Sequence, residues 1–310
     1  MDRVIAIIGP TAVGKTKVGI DLAKKLSTEV ISGDSMLIYR DMDIGTAKPD
    51  DTERAGIIHH LIDIRAPNEE YSVVNFQEMS SGLIHFFNEK NKIPILVGGT
   101  GLYVKSLLEG YKFNPVPGSE ELRERLTQLA AIHGNKYLHT MLMSVRPDIA
   151  DRLHPNDQRR IIRALEVHQQ QQAAPIKAKS PKGLIFNAAV IGLTMERNKL
   201  YERINQRVDL MIQSGLISEV AGLLKNGVPP NCQAMQGIGY KEIVLYFQGE
   251  LTLPEAIDKI KQATRNFAKR QLTWFRKMPY IHWVDYEDFQ NWEETMEYIY
   301  KVVAGKFNLE

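Results

Sequence analysis

The stretch Gly9-Pro-Thr-Ala-Val-Gly-Lys-Thr16 decides the fold, and it fits the pattern G-x-x-x-x-G-K-[ST]. It follows the apolar run Val4–Ile8, which predicts a buried parallel strand, and it opens an amphipathic segment that predicts a helix to Leu26. In such a strand–loop–helix unit, backbone N–H groups form a cradle for a phosphate group. Lys15 is expected to reach the distal phosphates and the Thr16 hydroxyl to contact Mg²⁺. An ordinary glycine turn is the alternative, and nothing in the motif recognises an adenine ring.

Length and composition indicate a soluble globular protein. The chain has 310 residues, 44% of them hydrophobic and 25% charged, which allows two domains or one domain with a sizeable insertion. No signal peptide is expected, because the apolar run at Val4–Ile8 is short and ends in the phosphate loop. No stretch approaches membrane-spanning length. The single cysteine, Cys232, excludes an internal disulfide and a cysteine zinc site. A cytoplasmic location is predicted.

The net charge of +2 conceals an uneven distribution. Residues 151–209 carry eleven lysines and arginines against six acids, and residues 255–277 carry seven against two. Residues 281–310 carry two against seven. Two basic stretches are compatible with a nucleic-acid partner. On charge alone, solvated helix faces explain them equally well.

Asp34 and Ser35 follow a second predicted strand, Thr28–Ser32. In open α/β sheets, ligands bind beyond the carboxyl ends of the strands, so Asp34 is a candidate for chemistry on the same edge as the phosphate loop. The alternative is that Asp34 caps a helix N-terminus.

Two further strands are predicted at Ile57–Ile64 and Ile93–Val97. His59 and His60 are adjacent in the first of them, so they face opposite sides and do not form a shared metal site. The second ends in a glycine-rich turn in which Thr100 opens a helix. We therefore expect three strand-end loops to converge on one site, a plain βα turn at Thr100 being the alternative.

From Phe113 the pattern changes to helices with little strand signal. A linker-like stretch, Asn114–Gly118, precedes them, and a mobile return loop is predicted at Ala173–Gly183. The helices are predicted at Glu120–Ile132, Lys136–Ser144, Asp148–Leu153 and Gln158–Gln172. The predicted fold is α/β: a P-loop NTPase-like parallel-sheet core at residues 1–118 and 184–310, with a mainly helical insertion domain at residues 119–183.

Two pairs of arginines stand at helical spacing. Arg159 and Arg163 share a face of the last insertion helix, and Arg203 and Arg207 share a face of the helix that follows the strand Phe186–Leu193. Guanidinium pairs suit phosphate, so the second pair is a candidate clamp for a leaving diphosphate. Exposed arginines beside acidic residues are the alternative.

The C-terminal part adds a glycine-bearing loop, Met235–Lys241, and a long helix, Pro254–Lys277. Basic and aromatic residues interleave along that helix, which suits a nucleic-acid channel, although its aromatic residues are equally explained as core. A final strand at Ile281–Val284 and an acidic helix at Trp292–Val303 complete the chain.

Several stretches in order resemble the bacterial tRNA dimethylallyltransferases, which prenylate N6 of the adenosine next to the anticodon. The matching stretches, from Val4 to about Lys277, are GPTAVGKT, GDSMLIYRDMDIGTAKP, HHLIDI, ILVGGTGLY, HPNDQRRIIRALEV, LYERINQRVD, MQGIGYKE and ATRNFAKRQLTWFRK. The most specific are DSMLIYRDMDIGTAKP and HPNDQRR. The family often has glutamine where this chain has Leu37, and a C-terminal zinc-binding extension like that of eukaryotic relatives is not expected.

The resemblance implies particular roles. Asp34, Thr100, Arg207 and Lys15 are implied to be catalytic, Asp34 as the general base. Dimethylallyl diphosphate is implied to bind Gly9, Pro10, Thr11, Ala12, Val13, Gly14, Lys15, Thr16 and Arg207, with Thr16 on Mg²⁺. The anticodon stem-loop of tRNA is implied to contact Asp34, Ser35, Met36, Leu37, Thr100, Arg123, Arg159, Arg160, Ile161, Ile162, Arg163, Gln236, Gly237, Ile238, Gly239, Tyr240 and Lys241. A monomer without a membrane partner is expected.

Two other functions are compatible with parts of the sequence. A small-metabolite or nucleotide kinase would use the same phosphate loop with Asp34 as its base. It leaves the helical insertion and the basic-aromatic helix unexplained. A non-catalytic nucleic-acid-binding module would not need the intact Lys15-Thr16 pair.

Overall fold

The computed structural model describes residues 1–113, 118–170 and 183–309. Most of the predicted linker at Asn114–Gly118 and of the predicted return loop at Ala173–Gly183 lies outside the described residues. The chain divides into two compact units, one formed by Met1–Tyr111 with Pro181–Glu310 and the other by Lys112–Ser180.

Within the described residues, six strands form one parallel sheet in the first unit. The strands are β1 (Arg3–Ile8), β2 (Val30–Ser32), β3 (His59–His60), β4 (Ile95–Gly98), β5 (Asn187–Thr194) and β6 (His282–Asp285). Their order across the sheet is β3-β2-β4-β1-β5-β6. From β1 the chain runs outward to β2 and β3, returns to β4 beside β1, and then crosses to β5 and β6 on the other side. This order confirms the predicted P-loop NTPase-like core, and it places the carboxyl ends of β1, β2 and β4 side by side.

The strands are connected by helices, as parallel pairing requires. In chain order the helices are α1 (Lys15–Lys25), α2 (Asp51–Arg54), α3 (Val73–Glu89), α4 (Gly101–Leu108), α5 (Glu120–His133), α6 (Asn135–Val145), α7 (Pro147–Ala150), α8 (Gln158–Gln170), α9 (Arg197–Gln213), α10 (Leu216–Lys225), α11 (Tyr240–Phe247), α12 (Leu253–Phe275) and α13 (Trp292–Phe307). Helices α5 to α8 belong to the second unit.

The central strand β1 is buried on both faces. Val4 and Ile8 pack into one hydrophobic cluster, whereas Ile5 and Ile7 pack into another on the opposite face. Because successive side chains of a strand alternate between faces, a strand covered by helices on both sides reads as one continuous apolar run. This explains why the sequence before the phosphate loop carries no polar residue between Val4 and Ile8.

The strand predicted at Ile57–Ile64 is mostly wrong. Only His59–His60 pair with β2, and the chain then turns. Leu61 and Asp63 adopt left-handed backbone conformations, with φ of 61° and 58°, which extended pairing does not permit. The two histidines do face different partners: His60 Nε2 lies 2.7 Å from a carboxylate oxygen of Glu29, while His59 Nδ1 lies 2.9 Å from a backbone carbonyl.

The second unit has a hydrophobic core of its own. Its helices bury Leu126, Leu138, Leu142 and Ile161 against one another. In the described part of the chain, no helix combines the length and the apolar character needed to cross a membrane. The cytoplasmic location remains a prediction.

Candidate active site

The phosphate loop follows β1 and leads directly into α1. Gly14 precedes the helix with φ of 100°, and no side chain of the described residues caps the first turn, so the N–H groups of that turn are available to an anion. The Lys15 ammonium donates a 2.7 Å hydrogen bond to the Pro10 carbonyl. Burial lowers the pKa of Lys15 to about 8; the charge of Asp34 opposes this shift and that of Arg207 adds to it.

A cavity of about 570 Å³ opens beside this loop in the first unit. It is lined by Ala12, Gly14, Lys15, Thr16, Lys17, Ile20, Asp21, Lys24, Ala47, Pro49, Glu53, Ala55, Arg203 and Arg207. Five of these side chains are cationic and two are acidic, so the cavity suits a ligand with several negative charges.

Asp34 stands just beyond β2, with its side chain partly exposed. Its Oδ1 accepts a 2.8 Å hydrogen bond from the backbone N–H of Met36, which makes a tight polar turn. The alternative that Asp34 caps a helix is therefore wrong, because the residues that follow it form turns. The turn fixes one carboxylate oxygen and so orients the group on the edge of the sheet.

The loop after β4 meets the loop after β2. Thr100 stands in the N-capping position of α4, but its side chain does not cap that helix. Its Oγ1 instead accepts a hydrogen bond from the N–H of Ser35 at 3.3 Å. A Cβ on Gly98 would lie 2.6 Å from the carbonyl oxygen of Gly33, so the close approach of the loops requires glycine. A Cβ on Gly99 would lie 3.4 Å from the Gly9 carbonyl oxygen, so the phosphate loop also reaches this place and the three loops meet as predicted.

Arg207 and Arg203, from α9, both line the cavity. Arg207 is largely buried and donates to the Ala47 carbonyl at 3.5 Å. Burial lowers the pKa of Arg207, against the opposing charges of Glu53 and Asp34. Arg203 is exposed, and its Nη2 lies 4.0 Å from the position that a Cβ of Gly14 would take. Both arginines thus line one cavity, and their role as a clamp for diphosphate stays a prediction.

The loop Gln236–Lys241 lies against the Asp34 turn. A Cβ on Gly237 would be 2.5 Å from the Met36 methyl group, so the two segments touch. Gln236 and Lys241 are exposed. Tyr240 is fully buried, so its side chain packs inside the first unit, and the contact with RNA implied for this position stays a prediction. Gly239 is buried, whereas Ile238 and Leu37 are half-buried.

In the second unit, the predicted RNA-contacting residues divide into two groups. Arg123, Arg159 and Arg160 are exposed, and Arg163 keeps 38% of its side chain accessible. Ile161 and Ile162 are buried in the core of the unit, because they occupy the opposite face of α8. Their side chains therefore stabilise the helix that carries the arginines, and the contact implied for these two positions stays a prediction.

Known proteins resemble this chain over most of its length. The family model described as IPP transferase matches residues 37–278. The chain belongs to the IPP transferase family. A relative named tRNA dimethylallyltransferase from Geobacillus kaustophilus is 50% identical over 311 residues, covering 100% of this chain and 98% of the relative. One of the same name from Geobacillus thermodenitrificans is 48% identical over the same shares.

Solved structures agree with the assignment to the IPP transferases. The full-length tRNA isopentenylpyrophosphate transferase of Bacillus halodurans is 44% identical, with a TM-score of 0.76 over 99% of this chain and 97% of that one. A eukaryotic dimethylallyltransferase acting on tRNA is 28% identical, with a TM-score of 0.80 over 99% of this chain and 80% of that one. The chain is a transferase enzyme, and the comparisons give the kinase alternative no support.

The sequence reasoning missed two carboxylates of this IPP transferase that each accept several hydrogen bonds. Glu166, fully buried in the second unit, accepts hydrogen bonds from Arg123, Arg163 and the N–H of Ser119. Glu219 on α10 accepts three consecutive backbone N–H groups of the loop 43–45. Glu219 is an acid on an otherwise apolar face of α10, and Glu166 stands three residues after its partner Arg163, but neither pattern names the partners that are distant in sequence.

The donor set beside the phosphate loop fits Mg²⁺. The Thr16 side chain is exposed to the cavity, and the carboxylates of Asp21 and Glu53 line the same space. Mg²⁺ is commonly held by one or two protein oxygens together with substrate phosphates and waters. Among residues 1–113, 118–170 and 183–309, no three histidines, cysteines or acids cluster as a complete protein cage.

Proposed function

We propose that this IPP transferase moves the dimethylallyl group of dimethylallyl diphosphate to N6 of the adenosine at tRNA position 37, releasing diphosphate. One observation carries the proposal: the carboxylate of Asp34 stands on the same sheet edge as a cavity whose cations suit a diphosphate. A base beside a leaving-group site is what transfer to a weak nucleophile requires.

The phosphate loop and its cations act on the leaving group. The free N–H groups of the first turn of α1, with Lys15 and Arg207, hold the diphosphate of the substrate. As the bond between allylic C1 and oxygen breaks, its electron pair leaves with the diphosphate. Fixed donors stabilise that growing charge, and losing one such donor typically costs about 3 kcal/mol in the barrier. Mg²⁺ held by Thr16 would supply further neutralisation of the diphosphate.

Asp34 acts on the nucleophile. The exocyclic amine of adenine is weakly nucleophilic because its lone pair is delocalised into the ring. The N6–C1 bond forms while the carboxylate of Asp34 takes the proton from N6. The hydrogen bond from the Met36 N–H leaves Asp34 anchored through one oxygen, which fixes its direction. The proton is thus carried by Asp34 and the electron pair by diphosphate.

Each unit presents residues suited to tRNA. In the first unit, Gln236 and Lys241 are exposed beside the Asp34 turn; in the second, Arg159, Arg160 and Arg163 are accessible on α8. Apart from Gln236 these side chains are cationic, and cationic side chains bind the phosphate backbone of RNA. The target base has to leave its stack to reach Asp34, as in other base-modifying enzymes. We propose that the anticodon stem-loop is the part bound, and that the protein acts as a cytoplasmic monomer.

The test supplies the protein with Mg²⁺, unmodified tRNA and radiolabelled dimethylallyl diphosphate. A matched tRNA with guanosine at position 37 is the control, and a parallel reaction contains γ-labelled ATP. Label is expected in the adenosine-containing tRNA alone. Absence of isoprenoid transfer, together with movement of phosphate from ATP to an acceptor, would refute the proposal in favour of a kinase.

A further inference from the structure

Gln271 is a buried amide on α12 that serves two loops distant in sequence. Its side chain is 5% exposed. The Oε1 atom accepts the backbone N–H of Thr11 at 2.8 Å, and the Nε2 atom donates to the carbonyl oxygen of Gly99 at 2.8 Å. These partners lie 260 and 172 residues away along the chain. One side chain therefore ties the phosphate loop to the loop after β4.

The contact lies next to the cation of the phosphate loop. A Cβ on Gly99 would come 2.4 Å from Gln271 Nε2 and 3.5 Å from Lys15 Nζ. The amide of Gln271 fits closely over Gly99 only because that residue has no side chain. Burying an amide costs free energy unless its polar atoms are paired, and here both are paired with main-chain groups.

The same link continues to the base. Thr100 follows Gly99 in the chain, and its hydroxyl accepts the N–H of Ser35, the neighbour of Asp34. Two hydrogen bonds of Gln271 therefore connect the phosphate loop to the loop after β4. One hydrogen bond of Thr100 connects the loop after β4 to the loop that carries Asp34. Reaction rates are sensitive to misplacement of about 1 Å, so a group that fixes this separation affects the rate without touching substrate.

We propose that Gln271 is a positioning residue. It holds the phosphate loop and the loop that carries Asp34 at the separation needed for transfer. The proposal rests on the proposed function. It adds a residue that the phosphate-loop pattern does not contain and to which the sequence analysis assigns no role.

The test compares Gln271→Met, which keeps the shape and removes both hydrogen bonds, with Gln271→Glu. Gln262→Met is the matched control, since Gln262 is exposed on the same helix and contacts only Asn266 and Arg265 among its hydrogen-bond partners in the described residues. With saturating substrates, Gln271→Met is expected to lower the single-turnover rate about tenfold to a hundredfold. It is also expected to weaken binding of inorganic diphosphate, with tRNA affinity close to that of Gln262→Met and a somewhat lower Tm, because two main-chain groups lose their partner.

Gln271→Glu supplies a pH profile that a merely structural role would not produce. An ionised carboxylate accepts a hydrogen bond from the Thr11 N–H but repels the Gly99 carbonyl oxygen. The protonated acid accepts from the Thr11 N–H and donates its own proton to the Gly99 carbonyl oxygen. Because burial raises a carboxyl pKa, the rate relative to wild type should recover as pH falls from 8 to 6. Gln271→Met should show no such recovery.

Gly99→Ala disrupts the contact between Gln271 and Gly99 without changing Gln271 itself. Its methyl group would displace the Gln271 amide, so the same loss of rate and diphosphate binding is expected, which keeps the test available should Gln271→Met fail to fold. Rates and diphosphate affinities within twofold of wild type in folded Gln271→Met or Gly99→Ala would overturn the proposal. A wild type that binds diphosphate but transfers no isoprenoid would refute the proposed function, and the diphosphate comparison would still decide the role of Gln271.

Discussion

The Lys15 ammonium and the Pro10 carbonyl oxygen lie 2.7 Å apart inside the same phosphate-binding loop. The cation is thus held within the loop by a main-chain oxygen, and burial brings its pKa down to about 8. A diphosphate in the cradle favours the charged form, so binding of this substrate and protonation of Lys15 support each other.

Affinity for dimethylallyl diphosphate should therefore fall as pH rises through about 8, by up to tenfold per pH unit. The lowered pKa leaves Lys15 charged below that value and neutral above it. The terminal phosphate, whose last pKa is about 6, is fully ionised across this range. The dissociation constant measured from pH 7 to 9.5 checks this. Lys15→Met should bind weakly with a flat profile, and a flat wild-type profile would contradict the assignment.

Replacing Arg207 should slow transfer far more than replacing Arg203. Arg207 is largely buried at the cavity, whereas Arg203 is exposed and its charge is screened by solvent. We expect Arg207→Gln to lower kcat by roughly 10²-fold to 10³-fold, as for loss of a preorganised donor, and Arg203→Gln to lower it about tenfold or less. Single-turnover rates with saturating tRNA measure both. A larger effect from Arg203→Gln would reverse the roles proposed for the pair.

Glu166 should make the second unit sensitive to acid. Burial pushes the pKa of Glu166 upward, but hydrogen bonds from Arg163, the Ser119 N–H and Arg123 outweigh it, and the pKa lies below the usual range. A carboxyl group whose pKa is lower in the folded than in the unfolded chain stabilises the fold at pH values above its unfolded pKa of about 4.3. That contribution is lost as pH falls through its pKa in the folded chain. Glu166→Gln should cost about 3 kcal/mol at pH 7.

Urea unfolding of wild type and Glu166→Gln at pH 7, 5 and 3 tests this. The difference in unfolding free energy should persist from pH 7 to 5 and narrow by pH 3, because only the wild type carries the titrating group. Arg160→Gln, in which an exposed arginine beside Asp157 is lost, is the control and should change stability little. A difference that is constant from pH 7 to 3 would show that the charge of Glu166 is not what stabilises the unit.

Glu219 should stabilise the loop that carries Ala47 into the cavity. Its carboxylate accepts N–H groups of the loop 43–45 and, at 2.6 Å, the hydroxyl of Tyr240. Glu219→Ala leaves several groups unpaired and should cost about 3 kcal/mol, whereas Tyr240→Phe removes one hydrogen bond and should cost about 1 kcal/mol. Urea midpoints measure both costs, and equal costs would argue against the carboxylate as the organising group.

The sequence predicts the part of this fold that depends on local patterns. The apolar run before Gly9, the phosphate-loop spacing and the strand ends at Asp34 and Thr100 each carry a local signal, and the structure brings these loops together. The strand predicted through Leu61 was wrong because left-handed backbone there ends the pairing after His60, which residue preferences do not show.

Contacts between distant segments could not be predicted in the same way. Gln271 meets Thr11 and Gly99 only after the sheet has formed, and a glutamine on an amphipathic helix is ordinarily a surface residue. Tyr240 and Ile161 lie in stretches implied to contact tRNA, yet both side chains are fully buried. A family resemblance assigns one role to every residue of a matching stretch. The burial of each side chain shows which of those residues are exposed to a partner.

The most direct measurement is the single-turnover rate of Asp34→Asn with saturating dimethylallyl diphosphate and tRNA, the product nucleoside being identified by mass. Asparagine keeps an Oδ1 that can accept the Met36 N–H, so the turn is retained while the base is removed. The rate of forming dimethylallyl-adenosine should fall by about 10²-fold to 10⁴-fold, with both substrates bound as tightly as by wild type. A rate close to that of wild type would contradict the assignment of Asp34 as the base that accepts the N6 proton.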